Sequence, residues 1–144
     1  MVVKADKKDI ITLAKLAVLL WSDCNVNDLI NDFSKNLSNN TCQFFLKYEN
    51  CIPVGFAQCG LRYDYVEGTE TSPVGYLEGI YVKENFRKKG YGRQLLENCE
   101  LWAKSNGCVE FASDCELSNI NSCNFHKAMN FEEANKIICF TKKL

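Results

Sequence analysis

The 144-residue sequence has little of several features that would place it in a class at once. Its longest apolar run, Leu16–Trp21, is six residues, where a helix crossing a bilayer needs about 20; a membrane-embedded chain is not expected. The start, Met1-Val-Val-Lys-Ala-Asp-Lys-Lys, shows no apolar core and no small-residue cleavage site, so the expected location is the cytosol. The two prolines, Pro53 and Pro73, form no linker, and there is no repeat or low-complexity tract. No pair of cysteines has C-x-x-C spacing, and His126 is the only histidine, so no metal is expected. A net charge of −1 gives no general reason to expect nucleic acid as a partner.

What remains has the composition of an ordinary globular protein, 47% apolar and 24% charged, and the length of one core, so a single domain over 1–144 is expected. Nine cysteines, an odd number, cannot all pair. Several stand in apolar stretches such as Ile137-Ile-Cys-Phe, where a reduced thiol behaves as a small hydrophobe, and free thiols fit a reducing compartment. The small net charge hides an uneven distribution. Asp64, Glu67, Glu70 and Glu78 occur with no intervening base, and Lys83, Arg87, Lys88, Lys89 and Arg93 follow with one acid, Glu84. Adjacent segments of opposite sign point to two differently charged ligands.

Periodicity gives the element order β-α-α-β-β-β-α-β-α-β, a mixed α/β or α+β sheet. Met1–Val3 reads as a short strand. Asp6 with Asp9 opens a helix ending near Trp21, and Asn25 or Asn27 caps a second helix through Leu37. Cys42–Tyr48 and Val54–Tyr65 read as a hairpin, and Val74–Val82 as a strand after Ser72-Pro73. A helix opens at Gly90 and Gly92 and closes at Gly107. A strand over Val109–Ser113, a helix over Ser118–Met129 and a last strand or hairpin over Phe131–Thr141 complete the order.

The segment Arg87-Lys-Lys-Gly90-Tyr-Gly92-Arg93 joins a strand to a helix N-terminus. Glycines there let backbone N–H groups converge, and the helix dipole adds partial positive charge, as a phosphate site requires. A solvated basic turn fits the same residues on local sequence alone. The P-loop pattern fails, because no Lys-Ser or Lys-Thr follows the second glycine. The dinucleotide fingerprint is matched in part by Gly90, Gly92 and Asp114, but Leu95 takes the third glycine position and the turn stands well beyond the strand.

Val82-x-x-x-x-Arg87-x-x-Gly90-x-Gly92 resembles the pyrophosphate motif of the GNAT superfamily of acetyl-CoA-dependent N-acyltransferases. The element order and the pair Asn119 and Met129-Asn-Phe131 are similar to that superfamily as well. Within it, Arg62-Tyr-Asp-Tyr-Val-Glu-Gly68, Ser72-Pro73, Leu77-Glu-Gly-Ile-Tyr-Val82, Ala112-Ser-Asp114, His126 and Phe131-Glu-Glu133 resemble, in order, the small dimeric aminoglycoside 6′-N-acetyltransferases. The resemblance implies a GNAT α+β fold, with a mostly antiparallel sheet flanked by helices. It also implies acetyl-CoA as cosubstrate, a cationic aminosugar as acceptor, and a homodimer in which C-terminal strands exchange.

The resemblance further implies that the backbone at Ile80, Tyr81 and Val82 pairs with the pantetheine arm, and that Lys88, Lys89, Gly90, Tyr91, Gly92 and Arg93 wrap the pyrophosphate, with Asn119 nearby. Trp21, Tyr65, Glu78 and Asp114 are implied as acceptor contacts. Asn135 stands where some relatives have an acid, and Asn130 replaces the family's glycine. Glu78 or Asp114 is expected as the base, since only a neutral amine attacks a thioester, and His126 aligns with a position that often holds a proton donor. A polyamine, peptide or metabolite amine is the alternative acceptor, and a non-catalytic acyl-CoA-binding domain is a reading of another class.

Overall fold

A computed structural model describes residues 1–144. In chain order the elements are β1 (Val2–Lys4), α1 (Ile10–Leu20), α2 (Val26–Leu37), β2 (Cys42–Glu49), β3 (Ile52–Arg62), β4 (Val74–Val82), α3 (Tyr91–Ser105), β5 (Phe111–Ser113) and α4 (Ile120–Ala128). The strands form one five-stranded sheet in sequence order, antiparallel except for the parallel pair β4 and β5 that α3 connects. This is the expected α+β architecture.

Side-chain alternation divides the core. Phe44 and Leu46 of β2 and Phe56 of β3 pack with Leu13, Ala14 and Ala17 of α1 and Leu29 and Phe33 of α2. Phe45 of β2 and Ala57 and Cys59 of β3 belong to a second cluster with Leu95, Leu96 and Cys99 of α3. With helices packed over both faces, β2 reads as a continuous apolar run and not as an alternating one. The helix starts are where capping chemistry puts them. Asp6 and Asp9 form a reciprocal capping box around a 3-10 turn before α1, and the Asn25 side chain accepts from Asp28 N–H ahead of α2.

Two expectations are corrected. The last strand over Phe131–Thr141 does not form: after α4 the chain has no regular secondary structure. Ile137, Ile138 and Phe140 are 66%, 80% and 88% exposed, so their apolar side chains find no cover within this chain. The cysteines also divide. Cys59, Cys99 and Cys108 are buried as small hydrophobes, whereas Cys24, Cys51, Cys115 and Cys139 are exposed and contribute nothing to packing.

Candidate active site

The site begins as an irregularity in β4. Cys59 pairs with Leu77 and Gln58 with Gly79, so Glu78 is an extra residue with no partner on β3. Such a bulge bends a strand and re-aims its side chain. At the same place β4 and β5 part. Their register ends at Leu77 and Ser113, while β4 continues to Val82. Glu78, Gly79, Ile80, Tyr81 and Val82 therefore have a backbone edge with no strand beside it, and an extended ligand with amide groups can pair there.

The far end of that edge leads to the glycine turn. Lys88 (φ 61°) and Gly90 (φ 77°) are left-handed on either side of Lys89, and α3 begins with no side-chain cap. The first helical bond back to the turn is from Gln94 N–H to the Gly90 carbonyl, at 3.1 Å. First-turn N–H donors of α3 are thus left for a ligand. A side-chain carbon at Gly90 would meet nothing within 4 Å, so the turn opens into free space, whereas one at Gly92 would come within 3.0 Å of the Phe125 ring. Arg87 Nε donates to the Val82 carbonyl at 2.8 Å, tying the turn to the strand. Lys89 pairs with Glu49 at 3.2 Å, and the Tyr91 hydroxyl donates to the same carboxylate. Tyr91 and then Lys89 hold Glu49 below the ordinary carboxylate range. Lys88 makes no ion pair. Arg93 reaches the Ala128 carbonyl at 3.4 Å, and Asn119 uses its side-chain oxygen to accept from Ser122 N–H at the start of α4, which leaves its amide NH₂ free. The donor set and the open turn fit a pyrophosphate.

On the other side of the bulge the charge is negative. Arg62 at the end of β3 forks onto Glu78: Nη2 lies 3.1 Å from Oε1 and 3.0 Å from Oε2, and Nε lies 3.3 Å from Oε1. The same guanidinium stacks on the Tyr76 ring, 3.5 Å from its centroid. The Tyr76 hydroxyl donates to Asp114 Oδ2 at 2.5 Å. Burial first, and then that hydrogen bond, push the Tyr76 hydroxyl well above the ordinary phenol range, so it remains a donor. Glu78 and Asp114, the two acids singled out from the sequence, thus belong to one network.

Trp21 is half-buried at the end of α1, edge-on to Phe56 and Phe33 at 5.8 and 6.4 Å. It lies over Gly79, where a side-chain carbon would come within 2.5 Å of Cζ2. Tyr65 is 77% exposed on the loop between β3 and β4. Asn135 donates to Glu67 of that loop at 3.1 Å. The loop is also fastened to the start of β5, because Glu110 accepts from Glu70 N–H, Thr71 N–H and the Thr71 hydroxyl.

His126 stands where β4 and β5 part. Its Nδ1 is 2.7 Å from the Ser122 carbonyl, which can only accept, so Nδ1 carries a proton. Nε2 is 2.8 Å from Ser113 Oγ, which is itself 3.2 Å from the Leu77 carbonyl. His126 makes no hydrogen bond to Glu78 or Asp114. It acts on the end of β5, one residue before Asp114.

A free strand edge that leads into an uncapped glycine turn suits an extended ligand with amide groups and a phosphate end, and the acetyltransferase (GNAT) family profile matches residues 10–131. The chain belongs to the GNAT acetyltransferase family. Among its relatives in that family is the aminoglycoside N(6′)-acetyltransferase type 1 of Acinetobacter haemolyticus, 38% identical over 125 residues, 87% of this chain and 86% of that protein. The enzyme of the same name from Stenotrophomonas maltophilia is 36% identical over 142 residues, 98% and 92% of the two chains. In structure, the chain superposes with a TM-score of 0.96, at 30% identity and over 100% and 98% of the two chains, on AAC(6′)-Iy bound to the bisubstrate analogue CoA-S-monomethyl-acetylneamine. As a GNAT enzyme the chain uses acetyl-CoA as cosubstrate. No helix is long and apolar enough to cross a membrane.

Three residues of the site lay outside the roles read from the sequence: Arg62, Tyr76 and Ser113. The opposite charges of Arg62 and Glu78 were visible, but the bulge that brings them together is a property of the folded register.

Proposed function

We propose that the enzyme acetylates the 6′-amino group of aminoglycosides by direct transfer in a ternary complex. The observation that carries this reading is the position of Glu78, at the bulge where the acyl-CoA edge begins and the acidic side of the site ends. Acetyl-CoA supplies an activated acetyl thioester. The first turn of α3 with Lys88 to Arg93 holds the pyrophosphate, the Asn119 amide adds a donor, and the backbone of Ile80 to Val82 aligns the pantetheine arm. A backbone N–H near Val82 polarises the thioester carbonyl.

On the acceptor side, Trp21 and Tyr65 offer flat faces to sugar rings, and Glu78 and Asp114 attract ammonium groups. Their proton chemistry differs. Both oxygens of Glu78 already accept from Arg62, whereas Asp114 engages only Oδ2. We assign Asp114 Oδ1 the proton that the acceptor ammonium loses, and Glu78 the anchoring of the cation. The neutral nitrogen then bonds to the acetyl carbon as the carbon–sulfur bond breaks, and the second proton, which the nitrogen sheds on becoming an amide, goes to the departing thiolate. His126 holds Ser113, and with it the strand end that carries Asp114. Asn135 hydrogen-bonds where an acid would add charge, so polycations bind with less attraction at that position.

The exposed Ile137, Ile138 and Phe140 support a homodimer in which a second copy covers them. The nine unpaired thiols suit a cytosolic location. Thiol release from acetyl-CoA, followed with kanamycin, tobramycin, spermidine and a peptide amine, tests the acceptor class. Turnover confined to the aminosugars is expected, and turnover only with spermidine or the peptide amine would overturn it.

A further inference from the structure

Glu78 is the one residue of β4 that the ladder with β3 leaves unpaired, because the bulge gives it no cross-strand partner. Something else must hold its carboxylate, and Arg62 does so from the neighbouring strand. Arg62 and Gly60 share a face of β3, and a side-chain carbon at Gly60 would come within 3.6 Å of Glu78 Oε1, so the glycine leaves an open lane to the carboxylate. The guanidinium uses its shape as well as its charge. Its edge forks both oxygens of Glu78, and its plane covers the ring of Tyr76. A lysine has neither the fork nor the plane. Tyr76 is only 6% exposed and spends its hydroxyl on Asp114.

We propose that Arg62 is a positioning residue that fixes both acceptor-side carboxylates, Glu78 by direct pairing and Asp114 through the stacked ring of Tyr76. The inference rests on the reading of Glu78 and Asp114 as acceptor groups. One planar cation between two acids fixes their spacing and lowers the mutual repulsion that would otherwise splay them. It leaves Asp114, an exposed residue, with Oδ1 free of any hydrogen bond. Small displacements of groups that orient a reacting amine are costly in rate even when binding survives.

The test uses the full chain in five forms: wild type, Arg62→Ala, Arg62→Lys, Tyr76→Phe and the double variant Arg62→Lys/Tyr76→Phe. Wild type is assayed first against kanamycin and spermidine. Turnover of spermidine alone would refute the aminosugar reading, and the variants would then be compared on spermidine, so the two failures remain distinct. Each single variant is expected to lose at least about tenfold in kcat/KM for the acceptor, while KM for acetyl-CoA stays within about twofold. Lysine is not expected to rescue the loss. Because the residues act as one unit, the double variant should be little worse than the poorer single variant. Arg62→Lys or Arg62→Ala with the wild-type kcat/KM would overturn the proposal. Multiplying losses in the double variant, or an equal rise in KM for acetyl-CoA, would overturn it too. Arg62 is exposed at a strand end, and Tyr76→Phe preserves the buried ring, so thermal melting close to wild type is expected for all forms.

Discussion

The indole of Trp21 lies across the backbone of Gly79, close enough that a methyl group at position 79 would sit 2.5 Å from Cζ2. The only way to seat this ring beside the bulge is to have no side chain under it. Gly79→Ala should push Trp21 outward and reshape the acceptor wall. Because overpacking of this kind costs about 1–3 kcal/mol, the variant should melt lower, show altered tryptophan fluorescence and have a raised KM for aminosugars. An unchanged fluorescence spectrum with an unchanged KM would show that Trp21 is not a wall of the site.

The glycine turn gives a prediction on the cofactor side. At Gly92 a β-carbon already approaches Phe125 to 3.0 Å, so a branched side chain there must displace α4 or block the turn. Gly92→Val should abolish measurable acetyl-CoA binding by calorimetry. Gly90 is different, because the space around it is free and only its left-handed backbone matters. Gly90→Ala should weaken binding through about 1 kcal/mol of backbone strain, roughly fivefold. Tight binding by Gly92→Val would refute the placement of the pyrophosphate.

Two of the shifted groups give stability a pH response that single substitutions can test. Glu110 accepts from the Thr71 hydroxyl and from Glu70 and Thr71 N–H, and these bonds hold it below its ordinary value of 4.5. A depressed carboxylate contributes stability that is complete above the unfolded value and is lost as pH falls through the folded one. Tyr76 is shifted upward from 10.0, so its contribution is complete below that value and is lost as pH rises beyond it. Melting measured against pH should therefore fall less steeply on the acid side for Glu110→Gln and less steeply on the alkaline side for Tyr76→Phe. Parallel curves for wild type and variants would contradict both assignments.

Much of the fold was legible because its signals are local. The bounds of β4 and the left-handed Gly107 (φ 86°) follow from residue type alone, and of the two candidate caps, Asn25 and Asn27, the structure uses Asn25. The glycine turn was legible as a turn for the same reason, but a solvated basic turn fits the same residues, and only the family resemblance pointed to a pyrophosphate there. The expected acceptor residues Trp21, Tyr65, Glu78, Asp114 and Asn135 were legible only one by one, with no sign of the contacts that join them. Arg62 reaches Glu78 because a bulge interrupts the ladder between Gln58 and Cys59, and no local pattern marks where a register slips. The last strand failed for a related reason. Ile137-Ile-Cys-Phe140 has strand composition, but a strand needs an edge to pair with, and the structure gives it none within this chain.

That exposed segment predicts the assembly. If a second copy covers Ile137, Ile138 and Phe140, sedimentation equilibrium should give twice the 16.4 kDa chain mass, and Ile138→Glu/Phe140→Glu should shift the species to the monomer. A monomeric wild-type chain at concentrations well above those used for assay would contradict the dimer.

The central claim concerns which nitrogen receives the acetyl group when Glu78 anchors the acceptor and Asp114 takes its proton. The most direct test is NMR mapping of the product formed from acetyl-CoA and kanamycin, with an analogue bearing a hydroxyl at the 6′ position as the matched control. A single product acetylated at the 6′ nitrogen is expected, with no thiol release from the analogue and none with the Asp114→Ala enzyme. Acetylation at another nitrogen, or an Asp114→Ala enzyme as fast as wild type, would contradict the account.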